Sequence, residues 1–164
     1  MKYKLLRFSL MCILAMLWGV VHADYYQKVT SIDNLTDGEY LIVYESDNVA
    51  FDGRLETLDA IGNTVAVVFD NGNISSSTSV NAATFTFTNT KSGYTIKSAS
   101  GFYIGQTSNS NGLQSNATTN YANTITFDTD GNANIVSSGG AYLRYNPSSG
   151  QTRFRYFKSN SYTN

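Results

Sequence analysis

The stretch GYTIKSASGFYIG, residues 93–105, recurs 39 residues later as NANIVSSGGAYLR, residues 132–144. Each copy has a strand-favouring segment, then a serine and glycine turn, then an aromatic residue followed by an aliphatic one. Glycine supplies the positive φ that tight turns need. The matching pairs are Ile96 and Ile135, Ser98 and Ser137, Gly101 and Gly140, Tyr103 and Tyr142, and Ile104 and Leu143. The repeat therefore predicts a unit of strand, turn and strand, and it narrows the choice among all-β architectures.

The repeat extends upstream of both copies. Phe85 and Phe87 precede the first copy, and Ile125 and Phe127 precede the second. A weaker third copy is formed by residues 38–42 with 49–53. Three copies predict a fold with three pseudo-repeats. We expect one shared core that contains Ile96, Tyr103, Ile104, Ile135, Tyr142 and Leu143.

The rest of the chain is also typical of an all-β protein. Apolar and polar residues alternate with period two in several short runs, and no segment after the first 23 residues has a sustained helical period. The predicted strands contain residues 40–44, 64–69, 85–87, 94–96, 103–104, 125–127 and 154–157. Between them lie the turn-forming pairs Asp37-Gly38, Asp52-Gly53, Asn71-Gly72, Asp130-Gly131 and Gly139-Gly140.

In these repeats the chain resembles the β-trefoil superfamily, over nearly all of residues 28–158. Residues 26–30, 38–44, 50–53 and 153–158 further resemble a module of proteins exported by gut Bacteroidetes. The resemblance implies a β-trefoil-like fold, and it implies a further apolar strand after Asn164. Without that strand, the closing edge of the fold would be open to association. The residues by themselves also allow another small β-barrel or a β-sandwich.

The N-terminus has the pattern of a signal peptide. Lys2, Lys4 and Arg7 are followed by an apolar run over residues 10–21, and Val21-His22-Ala23 places small residues at the cleavage positions. The run is shorter than the roughly 20 residues that span a bilayer. We therefore expect cleavage after Ala23, a secreted or cell-surface protein with no membrane segment after cleavage, and a single all-β domain over residues 24–164.

Composition argues against catalysis by the mature chain. Residues 24–164 contain no histidine, cysteine, methionine or tryptophan. Histidine is the usual acid or base near neutral pH, and histidine and cysteine are the usual zinc ligands. We expect no enzyme activity, no cofactor and no metal. The 8 basic and 12 acidic residues of this part give a net charge of −4, which disfavours nucleic acid as a partner.

Two functions fit these observations. The first is a secreted, non-catalytic module that binds carbohydrate, because tyrosine combines a flat ring with a polar tip and the chain after residue 23 has eleven tyrosines. The predicted ligand-binding residues, in loops that follow equivalent strands, are Asp52, Asn111, Tyr145 and Asn146. Among the tyrosines, Tyr121, Tyr145 and Tyr162 are predicted at the surface. The second is an accessory domain or fragment of a larger exported enzyme such as a nuclease, which the resemblance implies.

Two acidic motifs are weaker candidates for a functional site. Residues 128–134 have oxygen ligands at alternate positions, but the glutamate of a calcium loop is missing, so we predict a hairpin turn there. Five carboxylates fall within residues 45–59, and a catalytic pair of the glycosidase type needs a separation that the sequence does not fix.

Overall fold

The structure, a computed structural model, describes residues 25–158. Its fold is all-β, and every strand pair is antiparallel. The strands are β1 (Tyr25–Tyr26), β2 (Gly38–Tyr40), β3 (Val43–Tyr44), β4 (Val49–Phe51), β5 (Thr64–Ala66), β6 (Phe69–Asp70), β7 (Asn73–Ser75), β8 (Phe85–Thr90), β9 (Gly93–Ser98), β10 (Tyr103–Gly105), β11 (Gln114–Asn116), β12 (Asn123–Phe127), β13 (Ala133–Ser137), β14 (Tyr142–Asn146) and β15 (Arg153–Phe157).

The strands form three sheets. The largest runs in the order β11-β10-β9-β12-β13-β14-β15, and it also includes β8, which lies between β9 and β2. The two smaller sheets have the orders β1-β7-β6 and β3-β4-β5. None of the three sheets closes on itself among the described strands. No helix within residues 25–158 has the length and apolar character needed to cross a lipid bilayer.

One α-helix of five residues, α1 (Thr78–Ala82), lies between the described strands β7 and β8. It begins in the serine-rich residues 75–79. Ser77 caps it, because its Oγ accepts a hydrogen bond from the Val80 N–H at 3.2 Å. Val80 is buried in the smaller of the two apolar clusters, so packing stabilises a helix that local propensity alone does not predict.

The main core lies under the large sheet and contains most of the residues that the repeat predicted. Ile96, Ile104, Ile135 and Leu143 are all buried in one cluster, which confirms that part of the prediction. The prediction was wrong for Tyr103 and Tyr142, which are only half-buried. Each ring points to the other face of its strand and packs beneath a cation, Lys97 over Tyr103 and Arg144 over Tyr142, both at 5.2 Å from the ring centroid.

Phe51 joins the first part of the chain to this core. Its ring lies 4.8 Å from Phe85 and stacks on Phe154 at 5.3 Å between centroids. Aromatic pairs at such distances stabilise beyond the area they bury. The rings therefore hold β4, β8 and β15 together at the centre of the molecule.

The segment from β2 to β3 is apolar on both faces because it separates two clusters. Tyr40, Ile42 and Tyr44 pack against the main core, while Leu41 and Val43 pack against a smaller cluster around Val65 and Ile74. A strand buried on both sides is expected to be a continuous apolar run. The sequence predicted one strand over residues 40–44; the structure instead has two short strands that belong to different sheets.

The turns of the two clear repeats have the same hydrogen bonds. The Ser98 Oγ accepts from the Phe102 N–H at 3.1 Å, and the Ser137 Oγ accepts from the Ala141 N–H at 3.2 Å. The glycine that follows has a φ of 95° at Gly101 and 84° at Gly140. The sequence similarity therefore corresponds to equivalent local structure.

Candidate functional site

Asp52, the first predicted ligand-binding residue, is buried and already paired. Its carboxylate accepts hydrogen bonds from Arg54 Nε at 2.8 Å and from Arg54 Nη2 at 2.7 Å. These hydrogen bonds hold the pKa of Asp52 below its usual value, although burial opposes them. A ligand would have to displace Arg54 to reach this carboxylate.

Tyr145 and Asn146 lie at the end of β14, and both are buried. Tyr145 was predicted at the surface, and that prediction was wrong. Its ring packs 4.9 Å from Tyr44 and 5.0 Å from Phe154, and burial raises the pKa of its hydroxyl. The Asn146 Oδ1 accepts from the Ser148 N–H at 2.9 Å, so this side chain shapes the turn that follows β14.

Asn111 is exposed in the loop between β10 and β11, where its Oδ1 accepts from the Lys158 N–H at 3.0 Å. Of the other predicted surface tyrosines, Tyr121 is half-buried against Gly105, and Tyr162 lies outside the described residues. Among the four predicted ligand-binding residues, Tyr145 alone lines the large cleft described next. The structure therefore does not bring all four to that cleft.

A cleft of about 670 Å³ lies beside the first strands. One wall is formed by residues 25–29 and 39–46. The opposite wall is formed by the β12–β13 hairpin and the middle of β14. The walls come from segments about 90 residues apart, so no local sequence signal could have indicated the cleft.

The floor of the cleft is the main core itself. Its apolar side chains are Leu35, Phe87, Ile125, Ile135, Leu143 and Phe154. Binding sites for organic ligands are mostly apolar with a few placed polar groups. The cleft therefore reaches down to the apolar core, whose side chains there are each at most 8% exposed.

Four tyrosines from the first strands surround this floor. Tyr25 is 50% exposed at the edge. The hydroxyls of Tyr26 and Tyr40 are engaged by the fold, since Tyr26 donates to Asn81 Oδ1 at 2.9 Å and Tyr40 donates to the Thr36 carbonyl at 2.8 Å. Tyr44 packs on Tyr145 deeper in the cleft. Burial, with a smaller contribution from the nearby Glu39 charge, raises the pKa of Tyr26.

Charged side chains line the end of the cleft near the β12–β13 turn. Lys28 Nζ lies 2.8 Å from Glu45 Oε1 and donates to Asn132 Oδ1 at 2.9 Å, so it links the two walls. Arg144 is buried, and its guanidinium donates to the Leu143 carbonyl and to Asn134 Oδ1. Burial lowers the pKa of Arg144, and this end of the cleft combines cations with hydrogen-bonding groups.

The acidic motifs have structural roles. Residues 128–134 form the β12–β13 hairpin turn that was predicted, in which the Asp128 carboxylate accepts from the N–H groups of Asp130 and Asn132 at 2.9 and 2.8 Å. Asp59 pairs with Arg155 at 2.6 Å. Within residues 25–158, no three His, Cys, Asp or Glu side chains are grouped so that they could hold a metal ion.

No protein-family model matches the chain, and no curated protein or solved structure matches it either.

Proposed function

We propose that the protein is an exported, non-catalytic binding module and that its ligand occupies the cleft of about 670 Å³. The carrying observation is that tyrosines of the first strands and the hydrogen-bonding groups of Lys28, Glu45 and Asn132 line one cleft above the apolar core. Its volume is within the roughly 300–1,000 Å³ of typical ligand sites. The non-catalytic part of the proposal rests on the absence of histidine and cysteine from residues 24–164.

The fold we propose is a β-trefoil with three pseudo-repeats. Its support is a set of repeated main-chain hydrogen bonds. The Ser100 N–H donates to the Gly53 carbonyl at 2.8 Å, and the Gly139 N–H donates to the Gln106 carbonyl at 3.0 Å. Ser100 and Gly139 are 39 residues apart, so they are equivalent positions of the repeat. Their acceptors, Gly53 and Gln106, are therefore equivalent positions of the first and the second unit.

Carbohydrate is the ligand class we propose first for the edge of the cleft. The half-exposed Tyr25 ring offers a flat face, and Lys28, Glu45 and Asn132 offer hydrogen-bonding groups at the opposite end. Sugars present both apolar faces and hydroxyls, so they need this combination. A single such contact is weak, but several contacts with a polymer retain it through effective concentration.

Electrophoresis of the mature protein through gels that contain host or plant glycans tests this proposal. We expect at least one glycan to slow the protein, Tyr25→Ala to abolish the effect, and Tyr103→Ala, on β10 outside the cleft, to preserve it. If no glycan slows the protein, the carbohydrate proposal is wrong.

The second candidate is an accessory domain of a larger exported enzyme, such as a nuclease. It is favoured by the edge of the cleft, because a neighbouring domain could cover the half-exposed ring of Tyr25 there. Export can be checked separately. N-terminal sequencing of the protein recovered from the native host's envelope or medium should begin at Asp24, the residue after the proposed cleavage site.

A further inference from the structure

Two asparagines of the chain are followed directly by glycine, Asn71 by Gly72 and Asn111 by Gly112. In such a pair the main-chain nitrogen of the glycine can attack the side-chain carbonyl carbon of the asparagine, because glycine has no Cβ to hinder the approach. Asparagine is for this reason among the residues that heat damages. Both pairs have the same reacting groups, so a large difference between their rates of reaction comes from the fold.

The first pair lies in an exposed turn. Asn71 and Gly72 are the two central residues of the hairpin between β6 and β7. Both have positive φ, 49° at Asn71 and 80° at Gly72, as a two-residue turn of this sequence requires. Both are exposed. Among the hydrogen bonds of residues 25–158, none has the Gly72 N–H as its donor, so the attacking nitrogen is accessible to water.

The second pair is held by the fold at both of its reacting groups. The Gly112 N–H donates to the Tyr156 carbonyl at 3.0 Å. The Asn111 Oδ1 accepts from the Lys158 N–H at 3.0 Å. Both hydrogen bonds must break before the nitrogen can lose its proton and the side chain can turn toward it. Two such bonds, at ordinary net strengths, slow the reaction at least about tenfold.

The hairpin that contains Asn71 also opens more readily. β6 has two residues, and it lies at the edge of its sheet with two residue pairs to β7. Short edge strands with exposed hydrogen bonds open locally at a low free energy. Opening gives the Asn71 side chain the rotation that attack by the Gly72 nitrogen needs.

We propose that Asn71 is a site of spontaneous deamidation and that the fold directs the reaction to it in preference to Asn111. The Gly72 nitrogen bonds to Asn71 Cγ while the bond from Cγ to Nδ2 breaks. The proton of the Gly72 N–H passes through water to the departing amide, which leaves as ammonia. Water then opens the cyclic succinimide at either carbonyl and yields aspartate or isoaspartate. No oxidant or reductant takes part, and the inference does not depend on the ligand of the cleft.

Deamidation should alter one side of the cleft. The Asn71 Nδ2 donates to Asp70 Oδ1 at 3.0 Å, and a carboxylate at position 71 replaces this hydrogen bond with two like charges, which repel. Isoaspartate also adds a carbon to the main chain of a turn whose length fixes the register of β6 and β7. β7 pairs with β1, and Gly72 itself lines the cleft. The modified turn should therefore loosen the pairing of β1.

Incubation of the mature protein at mildly alkaline pH, followed by a short tryptic digestion and mass spectrometry, tests the proposal. Trypsin cuts after lysine and arginine, so Asn71 falls in the peptide of residues 55–91 and Asn111 in that of residues 98–144. We expect deamidation of Asn71 at least about tenfold faster than that of Asn111. Electron-transfer fragmentation should identify isoaspartate at position 71.

Two controls separate the fold from the local sequence. In guanidinium chloride the turn and the hydrogen bonds are lost, and the two pairs should react at rates within about threefold of each other. Asn71→Gly removes the reacting side chain and keeps a residue that accepts positive φ. The peptide of residues 55–91 from this variant should show no fast deamidation.

Four results would overturn the proposal: no deamidation of Asn71, equal rates at both asparagines of the folded protein, a faster reaction at Asn111, or a difference that persists in guanidinium chloride. The effect on the cleft has its own measurement. Amide chemical shifts of residues 25–26 and 73–75 should change in the incubated protein, but not in incubated Asn71→Gly. If full conversion of Asn71 leaves these shifts unchanged, the modified turn does not loosen β1.

Discussion

Residues 85–157 and residues 25–75 use the same alternating pattern but differ in how completely their strands pair. In the later region β8 and β9 have six residues each, and β12 to β15 have five each. In the earlier region β1, β3 and β6 have two each. The continuous sheet covers its side of the main core, whereas the cleft stays open beside the short strands. The difference suggests that strand pairing, rather than composition, decides where apolar surface stays accessible.

The largest effect should come from equivalent isoleucines in these different surroundings. Ile96 is fully buried, and Ile135 is buried but lines the cleft. Substitution of such residues by alanine costs about 2–5 kcal/mol, and the cost grows with the cavity left behind. We expect Ile96→Ala at the upper end of this range and Ile135→Ala at the lower end. Urea denaturation measures the loss of unfolding free energy in both variants. Equal losses, or a larger loss for Ile135→Ala, would contradict the contrast between the covered core and the cleft.

Two buried asparagines should give the next largest effects, because each ties a different region to β15. Asn63 donates to the Leu58 and Phe154 carbonyls and accepts from the Phe154 N–H. Asn123 accepts from the Tyr156 hydroxyl at 2.7 Å and donates to the Ile104 and Tyr121 carbonyls at the longer distances of 3.3 and 3.4 Å. Orphaned buried groups cost about 1–3 kcal/mol each. Because all three hydrogen bonds of Asn63 are 2.8 Å or shorter, Asn63→Ala should destabilise more than Asn123→Ala.

Adding Tyr156→Phe to Asn123→Ala removes the orphaned hydroxyl, and the double variant should recover part of the lost unfolding free energy. If the double variant is less stable than Asn123→Ala, the Tyr156 hydroxyl is not the buried group whose hydrogen bond Asn123 provides.

Smaller effects should test the equivalence of the two repeat turns. Gly101 and Gly140 both have positive φ, and a Cβ at either position would meet open space. Substitution by alanine should therefore cost about 1–2 kcal/mol from backbone strain alone, and the same amount at both sites. Thermal unfolding of the two variants measures this. Costs that differ by more than the experimental error would show that the repeats are not equivalent there.

The smallest effect concerns pH and the earlier region. Since Arg54 lowers the pKa of Asp52 in the folded protein, the pair stabilises the fold above the ordinary pKa of 3.8, and this stabilisation is lost as the pH falls through the lowered value. Asp52→Asn should therefore reduce the loss of stability on acidification. Arg54→Gln should have a similar effect, and the double variant should add nothing further. Additive changes in the two variants would mean that Arg54 is not the cause of the lowered pKa of Asp52.

The sequence predicted the all-β class, most strands of the later region and four of the six shared core positions, because these depend on local alternation. It was wrong about which of the two faces of a strand is buried in the core. Tyr103 and Tyr142 follow the repeat as strictly as Ile104 and Leu143 do, but they lie on the face where Lys97 and Arg144 cover the rings. A repeat identifies equivalent positions without identifying which face is the core.

The candidate site was predicted less well, for a related reason. Loops that follow equivalent strands indicated Asp52 and Asn146, but their side chains are used locally, by Arg54 and by the Ser148 N–H. The cleft is lined by residues 25–29 and 39–46 together with the β12–β13 hairpin. Segments so far apart in the sequence are brought together only by the pairing of the strands between them.

Mapping of amide chemical shifts tests the central claim, that the cleft is the binding site, most directly. ¹⁵N-labelled mature protein would be titrated with a glycan that slows it in gels. The account predicts that the largest shifts fall within residues 39–46 and 131–135, with little change in residues 103–116 on the far edge of the large sheet. Shifts that concentrate around Asn111 and Asn146, or that leave both walls of the cleft unchanged at saturation, would contradict it.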